Sequence, residues 1–196
     1  FVPPSGPAAN LGVRRDVVWL RVPLSVPATE SGRWLLDIDY PSLDRAEVTL
    51  VTEGQPVRTV LLGDAQPFTA RPMATRSHAM PLQLEPGLAH ELLIRVQTTS
   101  SMIVPIALIK DDRYDAREAR FQMVQGVMAG LGLCLMVYSL MQWLSQRDIT
   151  FLHYALSLLA ISTFFFGYHG LGMQHLWGGS DWLAANMAPL AVLVAL

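Results

Sequence analysis

The chain has 196 residues, a formal net charge of −2 and 52% hydrophobic side chains, and only three of its 14 basic and 16 acidic groups, Arg147, Asp148 and Asp181, lie beyond residue 120. Lipid accepts apolar helices and rejects charge, so this asymmetry excludes a wholly water-soluble protein. Residues 1–110 hold ten basic and ten acidic groups, which excludes the basic face that nucleic acid needs, and the single cysteine, Cys134, excludes an intramolecular disulfide and a Cys-based zinc site.

Residues 1–16 are rich in Pro, Gly and Ala and read as an irregular lead-in. The start at Phe1-Val2-Pro3-Pro4 reads as processed or cut from something longer. From Val17 short strands alternate with turns. Val17–Leu24 places Trp19 and Arg21 on one side and Val18, Leu20 and Val22 on the other. Arg33–Tyr40 reads as a strand that stops at Pro41. Ala46–Thr52 and Val57–Leu62 flank Glu53-Gly54-Gln55-Pro56, a hairpin turn. Ser77–Leu84, His90–Gln97 and Met102–Ile109 complete the set, with Pro105 implying an edge strand or a bulge. Seven or so such strands predict an antiparallel sandwich or jelly roll over residues 17–110, large enough to fold alone.

Residues 111–120 form a charged connector, read as a solvated helical lead into the first span. Spans are expected at about 123–144, 149–166 and 182–196, the last cut short by the end of the chain. Ser145-Gln146-Arg147-Asp148 joins the first two tightly and holds the only basic residue of the bundle. That places this loop on the cytoplasmic side and the sandwich outside. The second loop, residues 167–181, has no Lys or Arg, as the outer side requires. Trp143, Tyr168, Trp177 and Trp182 fall near span ends, where amphipathic rings favour the interface.

Three passages carry a family resemblance. They are Trp34-Leu-Leu-Asp-Ile-Asp-Tyr-Pro-Ser-Leu-Asp44, then Leu92-Leu-Ile-Arg-Val-Gln-Thr-Thr-Ser-Ser101, then the Gly126/Gly130 span with Gln146-Arg-Asp and His169-Gly-Leu-Gly-Met-Gln-His-Leu-Trp177. In order and spacing the chain resembles the bacterial seven-transmembrane receptors with diverse intracellular signalling modules. The resemblance implies an all-β jelly-roll or β-sandwich domain in the periplasm, similar to carbohydrate-binding modules, followed by α-helical transmembrane segments in the inner membrane. It also implies a cytoplasmic output, commonly a diguanylate cyclase or a histidine kinase, that these residues do not include.

On the soluble side, Trp19, Arg21, Tyr40, Arg71, Arg76 and His78 are the residues best suited to a sugar or anionic ligand. Aromatic faces stack on sugar rings, and guanidinium forks grip hydroxyls and carboxylates. The competing reading puts Trp19 in the core and pairs the arginines with Asp37, Asp39 or Asp44. Those three aspartates do not have calcium-loop spacing and read as a solvated face or ion pairs. Gly126-Val-Met-Ala-Gly130, with Cys134 on the same face, reads as a helix-packing surface, within one chain or in a homodimer. His153, His169 and His175 read as interface residues. No catalytic grouping, metal spacing or cofactor motif stands out. The expected partners are the lipid bilayer and a periplasmic small molecule or protein, with no nucleic acid. Two other classes stay open: a membrane anchor whose sandwich docks a partner, and the substrate-recruiting part of a membrane enzyme.

Overall fold

The alternation over Val18–Ser25 is the clearest local signal, and its side chains alternate between half-buried and exposed in the folded chain. The computed structural model describes residues 9–30 and 33–195. Among these, nine strands precede the helices. They are β1 (Asn10–Val13), β2 (Val18–Ser25), β3 (Arg33–Ile38), β4 (Arg45–Thr52), β5 (Gln55–Leu62), β6 (His78–Gln83), β7 (Ala89–Gln97), β8 (Ser101–Ile103) and β9 (Ile106–Lys110). One sheet has the order β2-β7-β4-β5, a second has β6-β3-β9, and β1 pairs with β8. All pairings are antiparallel.

The two larger sheets close a single core. Leu36 and Ile38 of β3 and Met80 and Leu82 of β6 meet Val48, Leu50, Leu92, Ile94 and Val96 of the other sheet. A fully buried aliphatic side chain of this kind stabilises by about 1.5–3 kcal/mol relative to leaving it in water. This is the β-sandwich that the strand pattern implies. The hairpin is tighter than its sequence suggests. Only Glu53 and Gly54 lie between β4 and β5, and both have positive φ (50° and 77°), the requirement of a two-residue hairpin turn. Glycine enters that region at no steric cost. A register shift between Leu50 and Val51 absorbs the mismatch.

Three local expectations change. The stretch read as an irregular lead-in contains β1, whose pairing with β8 lies outside its own sequence pattern. Met102–Ile109 is not one strand. It breaks at Val104-Pro105, because proline cannot donate to a ladder, and its halves enter different sheets. The loop expected over 167–181 contains a short helix, α3 (Leu171–His175).

The strand β3 is buried on both faces. Leu35 and Ala79 on the face away from the sandwich core pack with Tyr114, Met73 and Ile109. Tyr114 is 3% exposed and its hydroxyl lies 3.2 Å from Ser77 Oγ. It belongs to the first turn of α1 (Asp111–Gln146), a helix of 36 residues. The chain divides into two compact units, residues 1–114 and residues 115–196, so the boundary falls inside this helix. Asp111 and Asp112 lie in its first turn, where the helix dipole favours negative charge, and Asp111 pairs with Arg33 at 3.0 Å.

In the second unit α1 is followed by α2 (Ile149–Tyr168) and α4 (Asp181–Ala195), which contains Pro189. Helices α1 and α2 are long and apolar enough to cross a membrane. Their joint is two residues. Arg147 takes φ 59° and its N–H donates to the Trp143 carbonyl, while the Asp148 carboxylate caps α2 by accepting from Thr150 N–H.

Residues 1–114 carry their own core, so this fragment should give β-type circular dichroism and one cooperative thermal transition without the helices. A fragment limited to residues 17–110 lacks β1 and Tyr114 and should melt several degrees lower, since losing one large buried side chain costs about 3–5 kcal/mol. Equal melting temperatures would show that neither element contributes.

Candidate functional site

Two of the six soluble candidates, Arg71 and Arg76, lie on the segment that links β5 to β6; His78 opens β6, and Tyr40 lies in the loop after β3. In the β5–β6 segment a short 3₁₀ turn at Phe68–Ala70 precedes both arginines. Backbone bonds dock the start of this segment on the loop before β4: Asp64 N–H donates to the Leu43 carbonyl and Ala65 N–H to the Asp44 carbonyl. Arg76 is 3% exposed and its guanidinium grips both oxygens of Asp39, at 2.6 and 3.2 Å. His78 is buried with Nε2 at 3.2 Å from the Pro41 carbonyl oxygen. Tyr40 packs half-buried against the main core. Arg71 lies over the Phe68 ring at 5.1 Å.

This grouping is a buried polar post. Arg76 and His78 hold the β5–β6 segment against residues 39–41, and their burial leaves little surface for a ligand. Taking one partner from a buried charge pair leaves the other uncompensated, so the pair is costly to break. Asp39 is thus an ion-pair partner, as the alternative reading of the arginines had it. Asp37 is 1% exposed and is not on a solvated face. Asp44 accepts from the Thr99 N–H and hydroxyl, both at 2.8 Å.

Trp19 and Arg21 stand elsewhere, on β2 of the four-stranded sheet. Trp19 is 54% exposed and so does not fill the core. Its strand neighbours Val18 and Leu20 do, and alternation turns Trp19 outward. Arg21 forms a surface ion pair with Glu91, with one N–H···O at 3.0 Å. The six residues are therefore not one site.

The sequence reading missed a cleft of about 490 Å³ at the end of that sheet where β2 begins and β7 ends. Arg15, Asp44, Arg45, Gln97, Thr98 and Thr99 line it. They come from the β1–β2 loop, the start of β4 and the turn after β7. Only the strand register brings them together: Arg45 is the cross-strand partner of Gln97. No local motif could have signalled it.

In the helical unit, a Cβ on Gly126 or Gly130 would meet nothing within 4 Å, and Cys134 is exposed. No described helix packs on that face. Close approach occurs at three other glycines, one of them Gly167, where an added Cβ would lie 3.1 Å from Ala188 Cβ. Gly132 faces α2, where an added Cβ would lie 3.2 Å from Ser162 Oγ. Gly172 lies against the Trp177 indole, which an added Cβ would overlap, and its carbonyl accepts the Trp177 N–H at 2.8 Å. Trp177 thus folds back onto α3 rather than serving only as an interface anchor. His169 stacks on Phe165 and meets Phe121 edge-on. Between α1 and α2 lies an apolar cavity of about 410 Å³, lined in part by Met128, Ala129, Leu158 and Phe165.

Two groups of the polar post titrate abnormally. Burial, reinforced by Asp44, raises Asp64 from 3.8 to about 6, against the pull of Arg71. Burial and the nearby Arg71 charge push His78 down from 6.5 to about 3, so it is neutral at pH 7. Asp64, with its folded pKa raised, contributes stability that is present below pH 3.8 and lost as pH rises through about 6. The depressed His78 contributes stability that is present above pH 6.5 and lost as pH falls through about 3. The two slopes oppose one another between about pH 4 and 6. Asp64→Asn should remove one of them. The variant should melt several degrees above wild type at pH 7.5 and near it at pH 4, a gain of about 1–2 kcal/mol at the higher pH. Equal shifts at both pH values would show that Asp64 does not carry the effect.

Comparison with known proteins agrees with this architecture. The 7TMR-DISM extracellular 2 family matches residues 1–110. The 7TM diverse intracellular signalling family matches residues 121–196. No curated protein matches the chain. A β-sandwich followed by membrane-capable helices, with both parts matching in this order, is the extracytoplasmic sensory domain and transmembrane region of a signalling receptor: the chain belongs to the 7TMR-DISM family.

Proposed function

We propose that this chain is the sensing half of a bacterial inner-membrane receptor. The sandwich stands in the periplasm and binds a small molecule, a carbohydrate among the candidates, or a protein. The first helices of a multi-pass bundle carry the change inward to a diguanylate cyclase or histidine kinase outside these residues. The observation that carries this reading is the placing of the unit boundary within one helix, between Tyr114 and Asp115 of α1. The first turn of α1 is built into the sandwich by Tyr114, and the same helix continues into the apolar segment. A ligand that favours one packing of the β3 outer face shifts α1 by its differential affinity for that state. The Gly126/Gly130 face, with Cys134 one turn on, is the surface we assign to a further helix of the bundle or of a second copy; small residues let backbones approach in lipid.

The orientation rests on Arg147, the one Lys or Arg beyond residue 120, in the tight α1–α2 joint. In a Cys134→Ser background, a cysteine at Thr52 should react with an impermeant thiol reagent on intact spheroplasts, and one at Gln146 should not. The reverse pattern would invert the topology and sink the receptor reading.

Coupling through α1 has its own test. In the full-length receptor, a Gly-Ser insertion between Ala116 and Arg117 leaves the Tyr114 anchor in place and breaks the helix beyond it. Output should become independent of the periplasmic ligand, while ligand affinity stays within about twofold. Normal ligand-dependent output from this variant would rule out α1 as the route.

A further inference from the structure

The cleft at the end of the four-stranded sheet has a charge balance that its surroundings do not settle. Of its six lining residues, two are arginines and one is an aspartate. The aspartate is already engaged: Asp44 accepts both the N–H and the hydroxyl of Thr99 and so fixes the turn after β7. The Thr98 hydroxyl lies 3.0 Å from Ser100 Oγ, so this turn is held from within as well. Arg15 and Arg45 are exposed, and neither has an ion pair or a side-chain hydrogen bond among the described residues. By contrast Arg21, Arg33 and Arg76 each have a carboxylate.

We infer that this cleft binds a small anionic molecule, one bearing a carboxylate or a phosphate, with Arg15 and Arg45 as its charged clamp and Gln97 as a neutral hydrogen-bonding neighbour. A guanidinium presents a planar fork of donors that matches two anionic oxygens. Two such residues, Arg15 on the β1–β2 loop and Arg45 at the start of β4, line a concave volume of about 490 Å³, room for a molecule of metabolite size. The register fixes the clamp. Arg45 opens β4 directly opposite Gln97, and Val18 pairs with Val96, which brings the β1–β2 loop and Arg15 to the same end. The sheet is the rigid element: it carries Arg45 and Gln97 at its strand ends, and the β1–β2 loop adds Arg15. Asp44 serves as a positioning residue, because it shapes the turn and does not spend its charge on the arginines.

This inference rests on the receptor reading, since it names the ligand class and the place where that sandwich takes it. The test uses the full chain in nanodiscs of phosphatidylcholine, so that no anionic lipid competes. Succinate and inorganic phosphate are titrated separately by calorimetry, with galactose as the uncharged comparison. Saturable binding of either anion is expected, weakening as salt is raised. Tighter succinate binding assigns a carboxylate ligand, and tighter phosphate binding assigns a phosphorylated one. Arg45→Gln and Arg15→Gln should each weaken that binding about tenfold or more, the loss of a charge-assisted pair. Both side chains are exposed, so the circular dichroism spectrum should not change. Failure of both anions to bind below about 10 mM, tighter binding of galactose, or affinities unchanged in both variants would overturn the assignment. Binding is read apart from output. Anion binding without any downstream response supports the cleft and counts against the receptor reading; a ligand-driven response in a chain that binds neither anion does the opposite.

Discussion

Burial of β3 on both faces organises the sandwich. One face, through Leu36 and Ile38, closes the core against the four-stranded sheet. The other, through Leu35, needs a cover, because an apolar sheet face in water is unfavourable. Met73, Ile109 and Tyr114 provide it. That single requirement explains why the β5–β6 segment lies where it does and why the end of β9 runs into a helix whose first turn faces the sheet. It also explains the buried polar groups. Once the segment covers β3, Arg76 and His78 lose water, and each must find a partner: Asp39 for the first, the Pro41 carbonyl for the second.

The polar post and the cleft divide the work of charge in this domain. At the post, the Arg76 charge is buried and paired with Asp39, burial shifts Asp64 and His78, and the group fixes a loop. At the cleft, charge is exposed and available. Both lie near Asp44, whose backbone carbonyl accepts from Ala65 and whose carboxylate holds Thr99. A ligand at the cleft is therefore two bonds of the same residue away from the segment that covers β3. Small movements at one could bias the packing of the other, since packed interiors have discrete arrangements rather than continuous ones.

The family assignment rests on matches over residues 1–110 and 121–196 and not on any site. A β-sandwich of this kind serves many functions, and fold alone assigns none of them. What narrows the reading is the junction, where a sheet-covering tyrosine and an apolar segment share one helix. A simple anchor has no need of that arrangement, because a flexible linker would tether as well.

Composition and periodicity alone determined the class of this protein. Charge segregation marked the membrane segments, alternation in β2 turned Trp19 and Arg21 outward, and Glu53-Gly54 marked the hairpin. These features are local, so a window of a few residues contains them. Tertiary structure decided everything that depends on distant pairing. It moved Asn10–Val13 into a strand with β8, divided Met102–Ile109 between two sheets, buried Asp37, and made structural posts of Arg76 and His78. It also gathered Arg15, Arg45 and Gln97 into one cleft, although they are far apart in the chain. The physical reason is that a strand's pattern records which face meets the core and not which strand lies beside it or what covers its other face.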